Sequence, residues 1–382
     1  MSKALPVKTS PVSYHQRIIA KFGTGLLTGG SDCLDQDKMV NLVAQVAQLH
    51  RQGRELMVVS SGAIASGRYK LGLPKKVRGI PLKQVFHSVG QIHLMHMWEQ
   101  MFSQYDITVA QALLTRANLT DRAGYLNARN TLLALLELRV LCIINENDVV
   151  AVDEIQEAKF GDNDNLSAMV ANLVDADLLL ILGEIGGLYT ADPHCEPGAC
   201  LVPQVDKIDA DIERLAAGTT SGPGVGGMIT KIEAARLATA SGVTVVIADG
   251  QEPDVILRIA AGESIGTRFL PAASKLESRK RWMLSGLSAR GGLVVDNGAA
   301  LALRKQSRSL LSAGIRKIKG DFQRGDIVSI YEPEGSRLGY GITNYSAGDI
   351  AVIKGAHSRE ITPLLGYDYG AEVVHRNNLV VI

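Results

Sequence analysis

Apolar residues in the first two-thirds of the chain fall in short continuous runs, with stretches of helical spacing between them. The runs are Ile18-Ile19, Leu56-Met-Val-Val-Ser60, Ile107 to Leu114, Val140 to Ile144, Leu178 to Leu182 and Val243 to Ala248. Most are the length of a strand, and apolar residues in them follow one another without strict alternation. Before the second run, apolar positions recur at Val40, Val43, Val46 and Ala47. Further helical periods cover Gln84 to Phe102, Asn127 to Leu138, Asn165 to Val174 and Thr230 to Ala240. A strand that is apolar on both faces has to be covered on both. The pattern therefore predicts an α/β fold, a mainly parallel open sheet with helices on both faces. Ligand sites in such sheets lie where loops leave the C-terminal strand ends, and the Gly- and Asx-rich clusters of this chain fall at those exits or at helix starts.

The rhythm changes after Pro271-Ala-Ala-Ser-Lys-Leu-Glu-Ser-Arg-Lys-Arg281, a polar, basic stretch that reads as a solvated connector. Beyond it come short strand-like runs with turn signals at Gly291-Gly292, Asn297-Gly298, Gly314, Gly320, Gly325-Asp326, Gly335, Gly339 and Gly355. The expected organisation is an α/β domain over 15–270, a linker over 271–285 and a small β-rich domain over 286–382. Composition is that of a globular protein, with 46% hydrophobic and 21% charged residues. No apolar run approaches the roughly 20 residues that span a bilayer, and the start of the chain lacks the pattern of a signal peptide. Four cysteines are too few for a disulfide framework. The expectation is a cytoplasmic protein with no membrane partner. The net charge is +1, but the part from Lys275 onward carries +6 (16 basic, 10 acidic residues) and the rest −5. An acidic body with a basic tail suggests two different jobs.

Several clusters carry candidate chemistry. Lys21-Phe-Gly23-Thr24-Gly25 follows the first apolar run. Backbone amides in a Gly-rich turn beside a lysine suit an anion; a turn with a surface lysine explains the motif better when it is taken alone. Ser60-Ser61-Gly62-Ala63 opens a helix, where capping is the plain reading and carboxylate binding by Ser61 and the Gly62 and Ala63 amides the functional one. Asn145-Glu146-Asn147-Asp148 sits at the exit of a buried strand, a costly place for four polar residues unless they meet a ligand, an ion or each other. Gly161-Asp162-Asn163-Asp164-Asn165 precedes a helix, and one cap needs a single Asx residue; the acid-rich surplus suggests groups that orient cations. Gly222-Pro-Gly224-Val-Gly226-Gly227-Met228-Ile-Thr-Lys231 is a Gly-rich loop leading into a helix, able to wrap phosphates. It does not follow a strand, so it is not a dinucleotide fingerprint. His194, Cys195 and Cys200 lack a second ligand pair at zinc spacing, so no protein-held metal is expected. No His pairs with a Ser or Cys as a triad would require.

Taken in order, Lys21-x-Gly-Thr, Ser61-Gly-Ala, Asn145-Glu-Asn-Asp, Gly161-Asp-Asn-Asp-Asn, Gly187-Leu-Tyr-Thr-Ala-Asp-Pro193 and Gly226-Gly-Met-x-Thr-Lys231 resemble the amino-acid kinase family. The closest resemblance is to its members that phosphorylate the γ-carboxylate of glutamate with MgATP, the first step of proline biosynthesis. Val294-Val-Asp296-x-Gly298-Ala, Gly320-x-Phe-x-x-Gly325-Asp326, Leu365-Gly-Tyr367 and His375-Arg376 resemble a PUA domain, a small β-rich barrel. That attachment argues against the neighbouring N-acetylglutamate and aspartate kinases. By resemblance, Lys21 and Lys231 stabilise the transferring phosphoryl group and Asp164 holds both lysines in place. Ser61, Gly62, Ala63, Asn145, Asp148 and Asn163 bind glutamate. Lys21, Gly23, Thr24, Gly183, Glu184, Val225, Gly226, Gly227, Met228 and Lys231 line ATP, which brings Mg²⁺. The resemblance also implies feedback by proline, through a loop near Arg68 to Lys83, and a homo-oligomer.

The chemistry suits this inventory. A carboxylate nucleophile with a pKa of about 4.3 is ionised at neutral pH, so phosphoryl transfer needs alignment and positive charge and no general base. Three departures fall on the nucleotide side: Gly25 where the family has Ser, Gly183-Glu184 where it has Thr-Asp or Ser-Asp, and Val225 and Ile229 flanking Gly-Gly-Met. Backbone contacts to phosphate survive these changes. The alternative they raise is a weakened paralogue acting as a regulatory or RNA-binding protein through the PUA domain. PUA modules of RNA-modifying enzymes bind RNA, yet this tail shows no obvious aromatic stacking platform.

Overall fold

The computed structural model describes residues 15–31, 33–73, 79–151, 163–193, 195–218, 227–271, 289–306 and 308–382. The linker expected at 271–285 lies outside them from residue 272 onward. The described residues form two compact units, one of 15–115 with 132–271, the other of 116–131 with 289–382.

In the first unit the apolar runs become strands of one eight-stranded sheet. These are β1 (Arg17–Phe22), β2 (Glu55–Ser60), β3 (Val109–Leu114), β4 (Leu141–Glu146), β5 (Leu178–Gly183), β6 (Gln204–Val205), β7 (Thr244–Asp249) and β8 (Thr267–Phe269). Their order is β3-β4-β2-β1-β5-β7-β8-β6. The first six in that order are parallel, and β8 pairs antiparallel with β7. β1 is central, in register with β2 from Arg17↔Glu55 to Phe22↔Ser60 and with β5 from Ile18↔Leu178 to Phe22↔Leu182. The exits of β1, β2 and β5 therefore lie side by side. β1, β2 and β5 are buried almost throughout, as expected of strands covered on both faces.

Two helices after β2 meet unusually closely. α3 (Ala63–Leu71) and α4 (Ile80–Ser103) cross at Gly67 and Gly90. A Cβ on Gly67 would lie 1.8 Å from the Phe86 carbonyl oxygen, and one on Gly90 1.8 Å from that of Ala63. Only hydrogen fits there, so the backbones touch. Further along α4, the fully buried Trp98 packs with its ring centroid 6.0 Å from those of both Phe22 and Phe102. Its Nε1–H donates to Ser60 Oγ at 3.1 Å, which ties α4 to the exit of β2. The stretch read as a loop near Arg68 to Lys83 is largely helix end: α3 runs to Leu71 and α4 begins at Ile80, with 74–78 outside the described residues.

The second unit holds a five-stranded sheet and a two-stranded ribbon, Leu310–Leu311 with Glu372–Val374. Strands Gly291–Val295 and Ile315–Gly320 belong to the sheet, as do Ile327–Tyr331, Arg337–Ile342 and Leu379–Val381. Asn297-Gly298, read as a turn signal, instead opens a helix, Asn297–Gln306. Asp296 caps it, its Oδ1 accepting from the Ala299 amide at 2.8 Å. The sequence also showed no aromatic platform, and the fold assembles aromatics there. The Tyr345 and Tyr369 rings lie 5.8 Å apart, the Tyr367 and Tyr369 rings 5.3 Å. Arg324 stacks on Tyr369 at 3.9 Å, and Lys319 on Tyr331 at 4.0 Å. Residues 116–131 join this unit through apolar contact of Leu126 with Ile327, Ile342 and Val380, and through Arg129 Nε–H donating to Asn378 Oδ1 at 2.6 Å.

Candidate active site

Lys21 is not the surface lysine of a turn. It is the fifth residue of β1, opposite Val59 and Ile181, and its side chain is wholly buried. An ammonium ion in such a place needs a partner. Asp164, the first residue of α7 (Asp164–Leu173), supplies it with Oδ1 at 2.7 Å from Lys21 Nζ. Its other oxygen, Oδ2, lies 3.2 Å from Nζ of Lys231, on α9 (Met228–Ala240), and 2.9 Å from the Thr230 hydroxyl. The same hydroxyl lies 2.9 Å from the Gly227 carbonyl oxygen. Burial alone would raise the Asp164 pKa, but the charge of Lys21, then that of Lys231, and hydrogen bonds from Lys21 and Thr230 hold it well below the usual carboxylate range. The N-terminal end of α7 favours the same anionic form. Two ammonium groups thus share the Asp164 carboxylate, and the three groups taken together are positive.

The second cluster is polar and neighbours the first through Asn163. Its Nδ2 donates to the Ser60 carbonyl at 2.6 Å and to Asn145 Oδ1 at 2.7 Å, and lies 3.5 Å from Ser61 Oγ. Asn145 Nδ2 in turn donates to Gln91 Oε1 of α4 at 2.7 Å. Ser61 does not cap α3. The cap position belongs to Gly62, at φ 96°, which makes no side-chain cap bond. That left-handed conformation, which favours glycine, turns the chain so that the first N–H groups of α3 and the Ser61 hydroxyl stand at the exit of β2. Amides at a helix start suit a carboxylate. Asn145 and Glu146 prove to be the last two residues of β4, both buried. Asp148 follows, with Oδ2 at 3.5 Å from Nε2 of His87, a residue one turn before Gln91 on α4. Burial, then repulsion from Glu146, against the pull of Lys83, pushes the Asp148 carboxyl up to about 7. Burial pushes His87 down to about 4, against the Glu146 backbone, so the imidazole is neutral above that pH.

The nucleotide-side residues sit at neighbouring strand exits. Gly23 precedes the short helix Thr24–Thr28, and its amide donates to the Leu182 carbonyl at 2.9 Å, so β1 and β5 stay joined to their ends. A Cβ on Gly183 would lie 3.8 Å from Lys231 Cε. Gly227 precedes α9, and no atom of the described residues lies within 4 Å of where its Cβ would be. Val225 and Gly226 lie outside the described residues. Met228 turns its side chain into the core, leaving only its backbone for a ligand. Two of the departures from the family pattern are one feature: a Cβ on Gly25 would stand 2.0 Å from Glu184 Oε2. The glutamate carboxylate occupies the space that a serine at 25 would need.

Of the residues picked from sequence, Lys21, Asp164 and Lys231 are in direct contact, and Asn163, Asn145 and Ser61 form a second contact group. Asp148 is reached through His87. Thr230, Gln91 and His87 were missed as site residues. Thr230 stood inside a quoted motif; Gln91 and His87 were hidden in a helical period that did not say which face turns to the site.

The sequence pattern of the Amino acid kinase family matches residues 16–249, and that of the PUA domain residues 291–365. A glutamate 5-kinase from Dehalococcoides mccartyi (strain CBDB1) is 58% identical over 96% of this chain and 99% of its own length. The glutamate 5-kinase of Herpetosiphon aurantiacus is 51% identical over 96% of this chain and 98% of its own. That of Deinococcus radiodurans is 49% identical over 96% and 100%.

Proposed function

The chain belongs to the amino acid kinase family, and from that premise we propose that it transfers the γ-phosphoryl group of ATP to the γ-carboxylate of L-glutamate, the first step of proline biosynthesis. The observation that carries this reading is Asp164 shared between two buried lysines, next to a polar cluster able to take an amino acid. A carboxylate oxygen of glutamate attacks the γ-phosphorus in line. The bond to the β,γ-bridging oxygen breaks, ADP leaves with its electron pair, and glutamyl 5-phosphate forms. No proton moves, because the nucleophile is already an anion.

Lys21 and Lys231 place their charge where the equatorial oxygens of the phosphoryl group develop theirs. Asp164 positions both. Ser61 with the Gly62 and Ala63 amides takes the α-carboxylate, Asp148 the α-ammonium, and Asn145 and Asn163 brace the two sides. Gly23, Thr24, Gly183, Glu184 and the turn before α9 lie along the nucleotide. Lys21, Lys231 and the backbone amides of these turns fit phosphate oxygens, and among the described residues no group of three or more metal-ligating side chains comes together. Mg²⁺ thus enters as MgATP, where it neutralises phosphate charge.

The weakened-paralogue alternative is not favoured, since relatives that cover nearly the whole chain carry the glutamate 5-kinase name. Contact with RNA remains a further activity of the second unit. The basic-aromatic pairs Lys319–Tyr331 and Arg324–Tyr369 support it, and binding to a labelled single strand should fall steeply with salt. Among the described residues no helix is long and apolar enough to cross a membrane; action in the cytoplasm, inhibition by proline and a homo-oligomeric state are parts of the same proposal. The decisive experiment mixes protein, MgATP and hydroxylamine with glutamate, N-acetylglutamate or aspartate. Hydroxamate should form with glutamate alone; folded protein that yields none with any acid would refute the kinase reading.

A further inference from the structure

His87 lies outside every role assigned so far, yet it faces the amine side of the site. Its ring is buried, and among the described residues neither ring nitrogen makes a hydrogen bond of good geometry, although the Glu146 backbone acts on the ring. A buried imidazole with only loose contacts forfeits part of the bonding it had in water. Nε2 stands 3.5 Å from Asp148 Oδ2, a little too far for a bond between them. The other charged group near this pair from the β4 exit is Glu146, and from α4 itself Lys83. We propose that His87 is a substrate-binding residue, whose Nε2 lone pair and the Asp148 carboxylate together accept two N–H bonds from the substrate's α-ammonium. The proposal rests on the reading that the amine binds at Asp148.

The spacing suits this role. An ammonium nitrogen about 2.9 Å from each acceptor subtends an angle of about 75° across the 3.5 Å gap. Tetrahedral N–H bonds then point within about 20° of both acceptors, inside the range of good hydrogen bonds. A carboxylate alone would bind any cation. A carboxylate and a neutral nitrogen lone pair side by side demand two donors on one nitrogen, which an amine has and an N-acylated amine lacks. The neutral imidazole keeps its lone pair at working pH because burial lowers its basicity. It is a specificity element for the free amine, set on α4 by the same turn that carries Gln91 to Asn145.

The test measures glutamate KM, ATP KM and kcat in the hydroxamate assay for His87→Leu, His87→Gln and Asp148→Asn. Glutarate, the same diacid without the amine, serves as a competitive inhibitor. His87→Leu should raise glutamate KM about tenfold, the worth of one bond to a charged group. kcat, ATP KM and the glutarate inhibition constant should stay within about twofold. His87→Gln, whose Oε1 can accept in place of Nε2, should recover most of the loss. The proposal is overturned if His87→Leu leaves glutamate KM unchanged while Asp148→Asn raises it, or if glutarate binding weakens as much as glutamate binding. Should Asp148→Asn itself leave glutamate KM unchanged, the placement of the amine fails, and the proposal with it. If the Leu variant does not fold, His87→Gln against wild type on glutamate and glutarate decides: a KM within about threefold on glutamate supports the role, and an equal loss on both ligands refutes it.

Discussion

Replacing Asp164 by Asn removes one charge and almost no volume, which isolates what that charge does. The carboxylate is wholly buried, 2.7 Å from Lys21 Nζ and 3.2 Å from Lys231 Nζ. Without it two buried ammonium groups face a neutral amide. Breaking a buried pair by removing one partner costs about 3–5 kcal/mol; for a unit of this size, that is a fall in Tm of ~6–20 °C. The pH dependence adds a signature. Asp164 is held below its ordinary pKa, so its contribution in the wild type is complete above that ordinary value and lost only as pH falls through the depressed one. Across pH 5–9 the wild-type contribution is therefore constant. In the variant, a buried lysine that has lost the Asp164 charge has a lowered pKa, so between that value and about 10.4 the unfolded chain binds more protons than the folded one. Stability of the variant then rises with pH, and the gap from wild type narrows above about pH 8. kcat should fall by at least about 10²-fold and should not recover at high pH, since a neutral lysine brings no charge to the phosphoryl group. Thermal melts from pH 5 to 10, with hydroxamate turnover alongside, check both. A variant within 2 °C of wild type would refute the shared-carboxylate argument, and so would a gap that stays constant to pH 10.

Lys231→Ala should lower kcat by about 10²–10³-fold with little change in glutamate KM; near-normal turnover would remove Lys231 from the mechanism. Gly67→Ala places a Cβ 1.8 Å from a carbonyl oxygen, so α3 and α4 must part, at about 3 kcal/mol or more and with a raised glutamate KM. Gly72→Ala, at φ 63° with open space around it, should cost only about 1 kcal/mol; equal denaturant midpoints for the two variants would contradict the close crossing. Asp148, pushed up to about 7, must lose its proton to hold an ammonium, so glutamate KM should rise about tenfold per unit below pH ~7. A KM that is flat from pH 5.5 to 8 would show that the amine binds elsewhere. Gly25→Ser should displace the exposed Glu184 carboxylate at under ~0.5 kcal/mol, leaving Tm nearly unchanged; a large loss would mean that Glu184 is fixed where it stands.

Strands of the first unit were legible because continuous apolar runs have one cheap solution, burial on both faces of a parallel sheet. The two that escaped, Gln204–Val205 and Thr267–Phe269, are too short to carry a pattern, and no rule of spacing announces that β8 runs antiparallel to β7. Asn297-Gly298 misled for a local reason: the pair is a strong hairpin signal, but Asp296 just before it offers its carboxylate to the Ala299 amide and starts a helix instead. Lys21 misled for the opposite reason. A lysine two residues before a glycine looks like a turn, and only the partner 143 residues later in the chain, Asp164, makes its burial affordable. His87 and Gln91 could not be placed at all, because a helix of mixed polarity does not say which face meets the sheet exits. What sequence cannot encode locally is the meeting of elements far apart in the chain, and that meeting is where this site lies.

The balance of charge at that meeting follows from two demands that pull in opposite directions. Lys21 lies inside the sheet, so it needs an anion to be folded there at all. The phosphoryl group being transferred needs cations that are not already neutralised. A carboxylate for each lysine would meet the first demand and defeat the second; none would do the reverse. One carboxylate divided between two lysines, with Oδ1 toward Lys21 and Oδ2 toward Lys231, meets both, because the two ammonium groups and the one carboxylate together stay positive. Thr230 strengthens the arrangement without altering its charge, since its hydroxyl bonds to the same Oδ2 that faces Lys231. The position of Asp164 at the first turn of α7 adds the helix end as a further neutral stabiliser of the anion. A polar cluster that carried its own strong cation would upset this count. The amine side instead holds Asp148 and a neutral imidazole, with Lys83 offset by Glu146, so it adds no net positive charge to that count.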